Sequence, residues 1–289
     1  MKRLLTLAAL LGGCASSTPP ERAPGPVPGP APAAGPAEAE PSEGRGREIS
    51  YAAGESRFRI DRYDTLAVKM PDGTDQQQAF VRSAWLTVVT EARGDGLTAA
   101  IALDSLEVTG TPVPAASLDS ARGTRWTARV AADGELTDID PDRESAIGDQ
   151  VGALLQLLFP RLPGNSIRAG ARWSDTTDAP TKADNFDVRE HAIMQYAAGN
   201  PATRRGESVL PIVATGTFTR EGSGSQLGRQ LQMTSKGTRR FTHFLGINGR
   251  PAGLEGVETN EVTITVPEVG QSIEAVQTGT IRISPLGER

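Results

Sequence analysis

DPDRESAIGDQVGALLQLLFP, residues Asp140–Pro160, carries the one strong helical pattern of the 289-residue chain. Ile147, Val151, Leu154, Leu155 and Leu158 recur at i, i+4, i+7, i+8 and i+11, which gathers them into a single apolar stripe. Asp140 is a candidate cap, and Pro141 suits a first turn, where a missing N–H costs nothing. Pro160 and Pro163 stop the pattern, so a helix is predicted near 141–158. A helix with one wet face must bury the other against something, and the flanking sequence offers only strands.

On the N-terminal side, Phe58 and Ile60 alternate with Arg57, Arg59 and Asp61, and Leu66, Val68 and Met70 repeat the two-residue period. The interruption at Tyr63-Asp64 reads as a slip, hence a bulge or sharp bend. Pro71-Asp72-Gly73 is a turn, Ala79 to Glu91 a long strand, and Gly94-Asp95-Gly96 a turn into Leu97, Ala99, Ile101 and Leu103. After the loop Thr111–Pro114 comes a short helical candidate, Ala115 to Ala121. Arg125–Ala131 and Glu135–Ile139 form a hairpin across Asp133-Gly134. Beyond the helix, Thr176–Asn185 is polar and reads as loop. Strands resume at Phe186–Ala198, Ser208–Arg220, Gln226–Lys236, Arg239–Ile247, Val257–Val266 and Gln271–Ile283, with Pro211 expected at an edge or bulge. Tight turns between strands imply antiparallel pairing. The predicted class is mainly β (α+β): a large curved antiparallel sheet or half-barrel with one amphipathic helix packed on it. No residue pattern recurs between the parts before and after the helix.

The N-terminus sets the expected address. Lys2 and Arg3 precede an apolar run from Leu4 to Leu11, broken only by Thr6, and Gly12-Gly13 then stand before Cys14, the only cysteine. This is the layout of a secretory signal peptide, and the run is far shorter than the roughly 20 residues a membrane span needs. Leu11-Gly12-Gly13-Cys14 resembles the lipobox of bacterial lipoproteins, with Gly12 where Ala or Ser is commoner. The resemblance implies residues 1–13 as a cleaved signal, a diacylglycerol on the Cys14 thiol and an acylated new amine. Several acyl chains, each buried methylene contributing about 0.8 kcal/mol, hold a domain at a membrane where one chain does so only reversibly. Ala15, in place of the Asp that retains enteric lipoproteins at the inner membrane, implies the outer membrane, facing the periplasm or the cell surface.

Residues 14–47 then form the lipidated cysteine and a tether. Nine of the 21 prolines fall between Pro19 and Pro41, and Val27 is the single larger aliphatic there, so nothing can bury enough surface to offset ordering. Prolines keep such a segment extended, at up to about 3.1 Å per residue. Residues 48–289 are the globular β-rich part. No cysteine remains in it to form a disulfide, so its core must hold the fold. Lys and Arg number 30 against 35 Asp and Glu, a net −5; without Lys2 and Arg3 the balance is 28 against 35, or −7. With no concentrated basic stripe, nucleic acid is not an expected partner.

Signs of chemistry are few. His191 and His243 have no ligand-spaced partners, no G-x-S-x-G elbow is present, and Gly222-Ser223-Gly224-Ser225 reads as a flexible turn. Asp138, Asp140 and Asp142 alternate as calcium-loop ligands would, but Arg143 stands where such a loop needs Gly and Pro141 stiffens it. No catalytic residue, metal site or cofactor is assigned, and a non-enzyme is expected.

The lipobox, the long antiparallel sheet and the mid-chain helix together resemble the bacterial half-barrel lipoproteins, among them periplasmic lipoprotein carriers and mycobacterial lipid-binding lipoproteins. Leu158-Phe159-Pro160-Arg161-Leu162-Pro163 through Gly170-Ala171-Arg172-Trp173 is also similar to uncharacterised bacterial lipoproteins. The likeness covers about Ser56 to Ile283 and is one of layout. It implies an apolar cavity between sheet and helix holding a lipid or other apolar ligand, with Trp126, Val130, Val151, Leu154, Leu155 and Leu158 as lining. The alternatives are that these six fill a dry core, and that the protein docks onto other envelope components.

Overall fold

The computed structural model describes residues 48–287 apart from 70–74, 111–112, 184–185 and 227. The signal segment, Cys14, the tether, Met70 and the turn at Pro71-Asp72-Gly73 lie outside the described residues.

Twelve strands among the described residues form one antiparallel sheet. Before the helix come β1 (Gly54–Lys69), β2 (Asp75–Arg93), β3 (Gly96–Thr109), β4 (Arg125–Val130) and β5 (Leu136–Pro141), with a short helix α1 (Ala115–Ala121) between β3 and β4. The main helix α2 (Ala146–Leu155) runs on into a 3₁₀ turn, Gln156–Leu158. After it come β6 (Arg172–Ala183), β7 (Phe186–Ala198), β8 (Ala202–Arg204), β9 (Glu207–Gln226), β10 (Arg229–Gly246), β11 (Pro251–Val266) and β12 (Gln271–Pro285).

The spatial order is β5-β4-β3-β2-β1-β12-β11-β10-β9-β7-β6, with β8 on β9. The parts before and after α2 therefore belong to one sheet, joined where β1 pairs β12 from Phe58↔Pro285 to Lys69↔Glu274. The sheet is not closed: β5 and β6 are its free edges, and the chain between those edges is α2. The mainly β class, the curved antiparallel sheet and the packed amphipathic helix are what the periodicities predicted.

The helix lays its stripe on the concave face. Val151 and Leu155 are buried with Leu158, in one core with Phe58, Ile60, Leu86, Ile101 and Trp126 of the sheet. Gly152 makes the approach possible, since a Cβ there would sit 3.3 Å from the indole nitrogen of Trp126. A second cluster, Ile49, Leu162, Ile167, Leu210, Ile212 and Leu245, holds the start of the described residues. There Ile49 forms an antiparallel bridge with Ile167, and the Tyr51 hydroxyl donates to the Pro160 carbonyl.

Five local expectations are corrected. The helix does not begin at Asp140-Pro141, which end β5; Ser145 is the N-cap, its hydroxyl accepting from the Gly148 N–H at 3.0 Å. Thr176–Asn185 is not a loop, because β6 extends through it to Ala183. Gly222–Ser225 lies within β9, and the strands read separately at Gln226–Lys236 and Arg239–Ile247 are the single strand β10. No slip occurs at Tyr63-Asp64, where β1 keeps unbroken register with both neighbours. Pro211 falls where the outer neighbour of β9 changes from β7 to β8, between the pairs Ala198↔Ile212 and Ala202↔Val209, so its missing N–H is not needed.

Candidate functional site

Unbroken register in β1 has a direct consequence: Arg62 and Asp64 point inward, in phase with Phe58, Ile60, Leu66 and Val68. Asp64 is fully buried. The same parity brings inward Arg82 from β2, Glu190 from β7, Arg220 from β9, Arg239 from β10, Glu258 from β11 and Gln277 from β12. A belt of charge thus crosses the middle of the concave face, with apolar clusters on either side of it.

The belt has two centres. At the first, Arg62 Nε donates to both Asp64 oxygens at 3.0 and 2.9 Å, Arg82 Nη2 donates to Oδ2 at 2.8 Å, and Gln277 Nε2 to Oδ1 at 3.2 Å. Gly279 leaves the room, since a Cβ there would meet Asp64 Oδ1 at 2.7 Å. Arg82 also reaches the helix, donating from Nη1 to Gln150 Oε1 at 2.8 Å. At the second centre Arg239 grips Glu190 with two bonds, 2.7 and 2.6 Å, and Glu258 with a third at 2.8 Å. Arg220 Nε donates to Glu190 at 2.7 Å. The Phe218 ring lies between the two guanidinium groups, 4.6 Å from Arg220 and 4.0 Å from Arg239. It rests over Gly237, whose absent side chain it replaces.

Burial alone would push the Asp64 carboxyl up, but Arg62 and Arg82 outweigh it and hold it below the usual carboxylate range. Glu190 is held down in the same way, burial being overcome by Arg239 and Arg220. Burial would lower Arg239, yet Glu190 and Glu258 raise it. Asp64, Glu190 and Arg239 are therefore charged at neutral pH, in an interior where each charge needs its partner.

Between this belt and α2 lies a cavity of about 1080 Å³. Its lining includes Arg62, Arg82, Arg220, Arg239, Glu190 and Glu258 together with Leu154, Leu157, Phe159, Phe241 and Ile281. Of the six residues the half-barrel likeness implies as lining, Leu154 borders this cavity. Trp126, Val130, Val151, Leu155 and Leu158 are buried in the core beneath the helix. The wall opposite α2 is a charged network that the sequence reading did not bring forward. Its signal was present, in charged residues at the same parity as the buried aliphatics of their strands.

One end of the seam between the free edges is tied by Arg161. Its guanidinium reaches Asp133 at 3.2 Å and Glu135 at 3.0 Å beside β5, and Asp175 of β6 at 3.3 Å. Of the two histidines, His191 is exposed on β7, while His243 is buried on the inner face of β10 against Phe241. Asp138, Asp140 and Asp142 do not converge: Asp142 accepts the Arg125 N–H at 2.9 Å, and no metal-ligand cluster is found among the described residues. Compared with known proteins, the chain matches no family model and no curated sequence.

Proposed function

We propose that this chain is a non-catalytic, membrane-anchored envelope lipoprotein that holds a lipid or other largely apolar ligand between its helix and its sheet. The cavity of about 1080 Å³ between α2 and the concave face carries the reading, since ligand sites have volumes of roughly 300–1,000 Å³. An amphipathic helix laid across an open sheet supplies one apolar wall, with Leu154 and Leu157 at the surface of the cavity. The anchor rests on the leader and Leu11-Gly12-Gly13-Cys14. Cys14 would carry the lipid, and the Pro-rich stretch would stand the domain tens of ångströms off an outer membrane, facing the periplasm or the cell surface.

A second reading has its own observation. On the convex face Val81 pairs with Tyr63, Tyr63 with Thr280, and Thr280 with Val257, so three exposed apolar side chains share one cross-strand row. Such a row supports docking onto another envelope component.

Both parts are tested by expressing the full chain in a bacterium that processes lipoproteins. The expected result is a membrane-bound protein whose N-terminal residue is a triacylated Cys14, released to the soluble fraction by Cys14→Ser. Extraction of the purified protein should yield about one lipid per chain. A free Cys14 thiol removes the anchor, and an empty protein that refuses added lipids leaves only docking.

A further inference from the structure

The inner positions level with Arg62 run Arg82 on β2, Arg62 on β1, Ile281 on β12, Gly256 on β11 and Phe241 on β10. Neighbouring strands lie about 4.8 Å apart, so this row turns from cationic to apolar within roughly 20 Å. Phe241 covers Gly256, where a Cβ would come within 2.0 Å of the ring. Arg82, Arg62, Ile281 and Phe241 all border the cavity, and Leu154 and Leu157 face it from the helix side.

The charges along this wall are not evenly matched. Arg220 and Arg239 meet two carboxylates, Glu190 and Glu258. Arg161 at the seam meets three. Among the described residues Arg62 and Arg82 form ion pairs with Asp64 alone, with the neutral amides of Gln277 on Asp64 and of Gln150 on Arg82, while Glu258 acts on Arg62 from beyond pairing distance. Glu144 also borders the cavity, but at an exposed position before α2. One positive charge is thus in excess at the Arg62–Arg82 end. Arg62 borders the cavity and holds Asp64 through its Nε, and a charged acceptor makes the strongest hydrogen bonds with such a guanidinium group.

We infer that the cavity takes a long-chain amphiphile with an anionic head, the carboxylate or phosphate seated on Arg62 and Arg82 and the chain running along Ile281 and Phe241 beneath Leu154 and Leu157. This rests on the cavity reading proposed above and adds the class of head group. The head supplies the missing negative charge; a neutral amphiphile does not.

The test is calorimetric titration of the full chain with three probes below their micelle concentrations: sodium oleate, oleoyl lysophosphatidic acid and oleyl alcohol. One or both anionic probes should bind at one per chain, at least tenfold more tightly than the alcohol. The tighter of the two tells carboxylate from phosphate. Arg82→Gln should bring the anionic probes to the level of the alcohol while leaving the alcohol unchanged. Equal affinity for all three on the unmutated chain overturns the inference and leaves the cavity reading standing, and it is read without any variant. Anion preference that persists in a folded Arg82→Gln chain overturns the placement of the head. Failure of all three to bind overturns the cavity reading itself.

Discussion

His243 is the residue through which mild acid should first reach this fold. It is 5% exposed, packs edge-on to Phe241 at 6.1 Å, and its Nδ1 has no hydrogen-bond partner. Burial pushes its pKa down to about 4, against 6.5 for an ordinary histidine. Above pH 6.5 neither the folded nor the unfolded chain protonates it, so stability is unaffected. Below that value the unfolded chain gains the proton first, and stability falls until the folded pKa is reached. At about 1.4 kcal/mol per unit, the loss between pH 6.5 and 4 is about 3 kcal/mol. Asp64 and Glu190, whose folded values are lowered, act at more acid pH: their contribution is complete above the unfolded values of 3.8 and 4.5 and is lost below them. Urea unfolding at a series of pH values should show the earlier loss in the native chain and not in His243→Phe. Parallel curves for the two proteins would remove His243 as the cause.

Residue by residue, the apolar half of the interior was legible and the charged half was not. Phe58, Ile60, Leu66 and Val68 are all even-numbered, and their parity never breaks. The slip expected at Tyr63-Asp64 falls where the inward positions, Arg62 and Asp64, are charged. Arg62, two residues along the same strand, pairs with Asp64, but the other two partners, Arg82 and Gln277, come from other strands, 18 and 213 residues away. No local window of sequence holds that information. For Trp126, Val130, Val151, Leu155 and Leu158, periodicity gave an inward face without saying whether cavity or core lay beyond it.

At the scale of elements, the start of α2 shows how two valid signals compete. Asp140-Pro141 has the chemistry of a helix start, but Pro141 also ends β5, opposite Trp126. Ser145 wins because the chain must first leave the sheet: the backbone of Asp142 is still paired to the Arg125 carbonyl. Ser145→Ala should cost about 1 kcal/mol in unfolding free energy. Asp140→Ala should leave the helix intact, as judged by far-ultraviolet circular dichroism. A larger loss from Asp140 than from Ser145 would return the cap to its sequence-based position. The stretch Thr176–Asn185 reads as loop for a related reason. Its positions Thr176–Pro180, on the edge strand β6, are exposed on both faces, so they lack the alternation that marks strands with one dry face.

Across the whole molecule, an open sheet has to keep its two free edges from acting as templates for other chains. Here the chain between β5 and β6 does so, with α2 filling the concave side and Arg161 binding carboxylates from both edges. Removing it leaves Asp133, Glu135 and Asp175 facing one another. Arg161→Ala should accelerate amide hydrogen exchange in β5 and β6 by about tenfold, with little change where β1 meets β12. Uniform acceleration would mean that Arg161 supports the entire fold and not the seam. The sheet and its helix were legible from strand periods and one stripe. The order of the strands was not, because nothing in a run of meander strands says which two chain segments meet at the centre.

That meeting has a consequence for biogenesis. Of the described strands β1 is the first to be made; it occupies the middle of the finished sheet, and one of its two neighbours, β12, is the last of them. Until β12 arrives, a sixteen-residue ribbon offers an unsatisfied row of amides to whatever passes. The sheet cannot be completed around β1 until β12 has been made. A nascent chain cut short before β12 should therefore be cleared by proteases instead of settling into a shorter fold.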